Sequence, residues 1–132
     1  LGGDEARTIC VQALKLIPAW WVRVDATKAL GKLGGDEART ACLEALKHDE
    51  DRHVRREAAT ALGQLGGDEA RTACVKALKD DVAWPVRCIA AEALGQLGGD
   101  EAKTALQQAV EQDESVPVID SARQALEKIT QR

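Results

Sequence analysis

Between Asp36 and Lys47 the small and apolar residues Ala38, Ala41, Cys42, Ala45 and Leu46 recur at intervals of three and four, which is the spacing of one face of an α-helix. From Arg52 to Leu65 the same spacing returns with Val54, Ala58, Ala61, Leu62 and Leu65, so a second helix follows the first after a short break. No stretch alternates apolar and polar residues with period two, and no strand is predicted. Gly34 is placed to supply a left-handed residue that ends the preceding helix. Asp36 is expected as the N-cap, with Glu37 at the positive end of the helix dipole.

The helix pair is itself copied. The string LGGDEA begins at Leu1, Leu33, Leu65 and Leu97, which sets a period of 32 and divides the chain into residues 1–32, 33–64, 65–96 and 97–128 plus a four-residue tail. A single pair rich in alanine has too small a core to stand alone, whereas stacked pairs share one. The predicted fold is all-α: an α-solenoid of four 32-residue helix pairs, eight helices in one repeat domain spanning 1–132.

Divergence between copies is local. The second and third copies differ at ten positions, and seven of these (Glu50, Asp51, Arg52, His53, Arg56, Glu57 and Thr60) lie in one segment. Aligned by the repeat, the rewritten face reads Trp20, Trp21, Val24, Asp25 and Lys28 in the first copy and Arg52, His53, Arg56, Glu57 and Thr60 in the second. It continues as Trp84, Pro85, Cys88, Ile89 and Glu92 in the third copy and Val116, Pro117, Asp120, Ser121 and Gln124 in the fourth. At ~100° per residue each set spans roughly 140° of its helix, opposite the apolar stripe. Four such helices about 10 Å apart line a continuous surface, and in solenoids the second-helix row forms the concave side.

Unconstrained surfaces drift toward Lys, Glu, Gln and Ser. Here the rewritten positions hold all three tryptophans of a chain that has no Phe, Tyr or Met. Tryptophan and arginine are the residues enriched at binding hot spots, and exposed apolar patches mark interaction sites. The face is therefore expected to bind a protein partner, with Trp20, Trp21 and Trp84 as anchors and Arg52, His53, Arg56, Ile89 and Glu92 between them. Because Lys28, Arg52 and Arg56 nearly offset Asp25, Glu57, Glu92 and Asp120, affinity is expected to come more from buried aromatic area than from steering.

The pattern D-x-x-x-x-V-R-x-x-A-A-x-A-L-G, carried by Asp49, Val54, Arg55, Ala58, Ala59, Ala61, Leu62 and Gly63, resembles the HEAT-like repeats of bacterial and archaeal proteins, including those related to phycobilisome lyases. Near-identical copies with changes confined to the second helix also resemble the artificial alphaRep binders. The Gly-Gly turn and the string DEARTACLEALK depart from that framework, and the repeat is one residue longer. A sister scaffold and a natural array of recently duplicated repeats fit equally well. The resemblance implies a binding module, engineered or selected; the alternatives it leaves are a lyase-like concave surface for a ligand or chromophore, or a self-assembling array.

Some HEAT-like proteins bind bilins, others hold di-iron sites through paired His-Glu motifs, and one group of DNA glycosylases uses Trp and Asp in its concavity. In this chain the histidines are His48 and His53, and neither stands in a His-Glu pair. Trp20, Trp21 and Asp25 are similar to the glycosylase set, but 18 basic against 22 acidic residues, a net charge of -4, oppose binding to nucleic acid or an anionic membrane. The LGGDE turn lacks the Lys and Ser/Thr of a phosphate loop. The expectation is no enzyme, no cofactor and no metal. No apolar run approaches the ~20 residues of a membrane span, and no signal peptide is evident, so a soluble chain, cytoplasmic if made without a signal, is expected.

Cys10, Cys42 and Cys74 share one repeated position, filled by Leu106 in the last copy, and are expected as core thiols. A repeat apart, they exceed the ~7 Å disulfide limit. Cys88, on the variable face, is expected to be reactive. Two exceptions to the repeat fit together: Asp49, Asp81 and Asp113 correspond to Ile17 in the first copy, while Arg23, Arg55 and Arg87 correspond to Ile119 in the last. Pairing each Arg with the Asp of the following repeat leaves only those two isoleucines without partners. The alternative is that each Asp merely caps its own second helix.

Terminal repeats of solenoids are atypical, with a polar outer face. The last copy conforms: Glu127 replaces Gly63 and Gly95, Gln107 replaces Val75, Ala105 stands where Ala73 does, and a polar tail follows. The first copy instead carries Ile9, Leu16 and Ile17 where the second has Ala41, His48 and Asp49. Either these residues fill space against their own neighbours, or they self-associate with a second copy through the N-terminal repeat.

Overall fold

The computed structural model describes residues 2–131; Leu1, which opens the repeat pattern, and Arg132, at the end of the tail, lie outside the described residues. Among the described residues there are eight helices and no strand. The first helices of the pairs are α1 (Gly3–Leu16), α3 (Asp36–His48), α5 (Asp68–Asp80) and α7 (Asp100–Gln112). The second helices are α2 (Trp20–Leu33), α4 (Arg52–Leu65), α6 (Trp84–Leu97) and α8 (Val116–Thr130). No helix among these residues is long and apolar enough to cross a membrane.

The stripes predicted from periodicity form the core. Ala38, Ala41, Cys42, Ala45 and Leu46 are buried, as are Val54, Ala58, Ala61 and Leu62, while Leu65 is half-buried against them. Leu43 and Ala59 are buried as well, because each helix touches its own partner on one side and the next pair on the other. One apolar core runs the length of the stack.

Each second helix packs directly on the next, α2 on α4, α4 on α6 and α6 on α8, more intimately than the first helices pack among themselves. Glycine makes this possible. A Cβ on Gly31 or Gly63 would stand 3.1 Å from the Cβ of Ala61 or Ala93, and one on Gly95 would stand 2.9 Å from that of Ala125. The second helices are thus the more closely packed row, as the concave side of a solenoid requires. Glu127 occupies the same repeat position in α8, where no further described helix crosses.

The turn between repeats differs in detail from the expectation. Gly34 does end α2, with φ 74° and ψ -171°, but Gly35 (φ 94°, ψ 166°) rather than Asp36 is the N-cap of α3. Both conformations belong to a region essentially reserved for glycine. Asp36 becomes the first helical residue, and its exposed carboxylate accepts from Arg39 Nη1 at 2.8 Å. That arginine reaches over the turn: Nε donates to Gly66 O at 3.0 Å and Nη2 to Leu65 O at 3.3 Å, capping the carbonyl end of α4. Arg7 and Arg71 cap α2 and α6 likewise. The signal was present in the sequence, since DEAR becomes DEAK in the one copy that no Gly-Gly turn follows.

Candidate recognition surface

Before the variable residues can form a surface, the second helices must be held in register. Each ladder arginine sits one turn into a second helix and is largely buried. Arg23 donates to both carboxylate oxygens of Asp49 at 3.1 Å. Arg55 reaches Asp81 at 2.9 and 3.2 Å, and Arg87 reaches Asp113 at 2.9 and 3.3 Å. The inter-repeat ladder inferred from Ile17 and Ile119 is therefore present. In each case Nη1 turns back to the loop of its own repeat, as in Arg55 donating to Asp49 O and Glu50 O. In the first copy Ile17 contributes only its carbonyl, to Arg23. Hydrogen bonding by Asp49 holds the Arg23 guanidinium above its ordinary pKa, against a burial that would lower it.

These aspartates do not cap their own second helices, whose N-caps are Asp51, Ala83 and Ser115; they brace the turn before them. Asp49, Asp81 and Asp113 accept from the backbone N–H two residues on, at 2.9 to 3.0 Å. The cap of α4 itself is Asp51, whose side chain accepts from His53 N and Val54 N. Burial alone would raise the Asp51 pKa, but the two amides and the His53 ring outweigh it and hold the carboxyl below its usual range.

None of the twenty variable residues is buried. Trp20, Trp21 and Trp84 are 40%, 59% and 50% exposed. Trp20 meets Trp21 edge-on with centroids 5.8 Å apart and stacks on His53 of the next helix at 4.6 Å, so the first two repeats present one aromatic cluster. Arg52, Arg56, Lys28, Asp25, Glu92, Val116, Pro117, Asp120 and Gln124 are exposed, whereas Glu57, Thr60, Pro85 and Ser121 are half-buried. Val24, Cys88 and Ile89 are half-buried too, packed on the edge of the core, and so belong to both framework and face.

The cysteines require two corrections. Cys88 is less exposed than its position suggested: partial burial, with Glu92 and Asp113 nearby, raises its pKa despite a hydrogen bond with Ser121 and the proximity of Arg87. Cys42 and Cys74 are core thiols pushed by burial to about 12. Cys10, in the same column, is only half-buried.

Ile9, Leu16 and Ile17 do not fill space against their own neighbours, being 52%, 73% and 38% exposed. Two grooves lie away from the variable face. One of about 550 Å³ runs between α3 and α5, past Ala73 and Ala77 down to Arg55 and Asp81, and one of about 460 Å³ repeats it between α5 and α7. They recur with the repeat, between successive first helices. Among the described residues no group of three or more His, Cys, Asp and Glu side chains could hold a metal ion.

A family model for HEAT repeats matches residues 40–127, and one for the PBS lyase HEAT-like repeat matches residues 22–48. The chain belongs to the HEAT-repeat family. No curated protein aligns with it. Among solved structures, human deoxyhypusine hydroxylase in complex with glycerol is similar, with a TM-score of 0.83 and 29% identity over 96% of this HEAT-repeat chain. The match covers 44% of the hydroxylase chain, so the present chain spans less than half of that enzyme's length. The likeness establishes the shared helical-repeat architecture; the hydroxylase is an enzyme, and its activity is its own.

Proposed function

We propose that this HEAT-repeat chain is a protein-binding module that recognises its partner through the concave face of α2, α4, α6 and α8. The supporting observation is that three tryptophans, the only large aromatics of the chain, stand half-exposed on that face. Leaving them in water forgoes a stabilisation of roughly 25 cal/mol per Å², and burying them in a partner recovers it. The constant framework beneath and the rewritten surface above fit a scaffold that was engineered or selected for binding, as in alphaRep-type proteins. They fit catalysis less well, since no nucleophile-base pair or metal-ligand set is grouped on the face. The test is capture of partner proteins by the immobilised chain against a Trp21→Ala/Trp84→Ala variant; retention of the same species by the variant refutes the reading.

A second copy is the alternative partner, favoured by the exposed Ile9, Leu16 and Ile17 in the same repeat as Trp20 and Trp21. Light scattering decides between them. A mass that rises with concentration and falls for Ile17→Asp supports self-association through the N-terminal repeat; a constant monomer mass assigns the face to a foreign protein.

A further inference from the structure

The arginines of the chain are not evenly paired. Arg7, Arg39 and Arg71 each pair with an aspartate in their own helix, Arg23, Arg55 and Arg87 form the ladder, and Arg123 approaches Asp120. Among the described residues Arg52 and Arg56 are the arginines with no carboxylate partner. They are exposed and one turn apart on α4, so both guanidinium groups face the same way. On one side stands the Trp20–His53 stack and on the other, in the next repeat, Trp84. Of the acidic groups on this side, Asp51 is engaged as the α4 cap, Glu57 is half-buried on the same helix, Glu50 is exposed in the preceding loop, and Asp25 of α2 and Glu92 of α6 are exposed on the same face. None of these is within ion-pair distance of Arg52 or Arg56.

We infer that the partner carries a carboxylate flanked by apolar side chains on both sides: the acid is held by Arg52 and Arg56, and the flanking groups sit against Trp20–Trp21 and against Trp84. A guanidinium binds a carboxylate through paired N–H donors, and the surrounding indoles exclude water from that contact once the partner is seated. A bound partner that offered a lysine there would strand three cations together beneath apolar cover. The spacing follows from the stack: Trp20 and Trp84 are two helices apart, about 20 Å at the usual interaxial distance. That span is about 13 residues of a partner helix or about six of an extended strand.

This inference rests on the recognition reading above, and the experiment separates the two. Two end-blocked, fluorescein-labelled helical peptides carry tryptophan anchors about 20 Å apart and differ only in a central Glu-Glu or Lys-Lys pair. Anisotropy titration at low salt should show the Glu peptide bound at least tenfold more tightly, the advantage shrinking toward 0.5 M salt as exposed pairs are screened. Arg52→Glu/Arg56→Glu should reverse the preference. Equal or tighter binding of the Lys peptide, or no binding of either, overturns the inference. Trp21→Ala/Trp84→Ala should abolish binding of the Glu peptide; a preference for Glu that survives this change keeps the charge assignment and contradicts the tryptophan anchors.

Discussion

The Arg55 guanidinium forks onto Asp81 of the following repeat, Nε to Oδ2 at 2.9 Å and Nη2 to Oδ1 at 3.2 Å, while Nη1 holds two carbonyls of its own loop. One side chain thus ties three segments together in a largely buried site. Removing Asp81 leaves that cation inside without its counter-charge. Asp81→Ala should cost about 3–5 kcal/mol, and Arg55→Met/Asp81→Leu should recover most of it. Chemical denaturation of the single and double variants checks this; a single-variant loss below ~1 kcal/mol would place the pair among ordinary surface ion pairs.

Gly63 lies at the crossing of α4 and α6, and a Cβ there would approach Ala93 Cβ to 3.1 Å and Gln96 Oε1 to 2.7 Å. Alanine improves helix propensity by about 0.5–1 kcal/mol, yet the crowding should win. Gly63→Ala is expected to destabilise by about 1–2 kcal/mol, whereas Glu127→Ala, at the same repeat position with no crossing helix among the described residues, should be close to neutral. Equal thermal shifts for the two would remove the close-crossing account.

These two features mark how much the sequence disclosed. The ladder was legible because Ile17 and Ile119 break the pattern at opposite ends, which fixes its direction as well as its existence. The helix bounds of α4 were legible from periodicity. The cap at Gly35 was not: Asp36 has the chemistry of a cap, but two successive positive-φ glycines let the backbone turn one residue earlier, leaving its carboxylate to Arg39. Nor was the half-burial of Cys88 and Ile89, since offsets around one helix do not reveal how closely α8 approaches α6.

Asp51 supplies a pH test. Its carboxyl is held below the usual range in the folded protein, chiefly because the amides of His53 and Val54 outweigh the effect of burial. A depressed folded value means stability that is present above the unfolded pKa of about 3.9 and lost as pH falls through the folded value. Asp51→Ala should therefore cost about 1 kcal/mol at pH 7, with the difference closing below about pH 4. A difference independent of pH would rule out the capping carboxylate as its source.

The thiols should react in an order set by burial. In the native protein at pH 8, the half-buried Cys10 and Cys88 should be modified first by a disulfide reagent, and Cys42 and Cys74, with pKa values near 12, only on unfolding. Mass mapping of the labelled peptides reads the order. Early modification of Cys42 or Cys74 would mean that adjacent repeats separate readily.

The central claim, that the rewritten face binds while the framework folds, is tested most directly by comparing Trp21→Ala/Trp84→Ala with Lys47→Ala/Lys76→Ala on the opposite, first-helix side. Partner capture and thermal melting are measured for both. The account predicts that the tryptophan variant loses capture by a hundredfold or more, as expected for hot-spot residues costing over ~2 kcal/mol, with an almost unchanged melting temperature, and that the lysine variant keeps capture. Undiminished capture by the tryptophan variant, or equal loss in both, would contradict it.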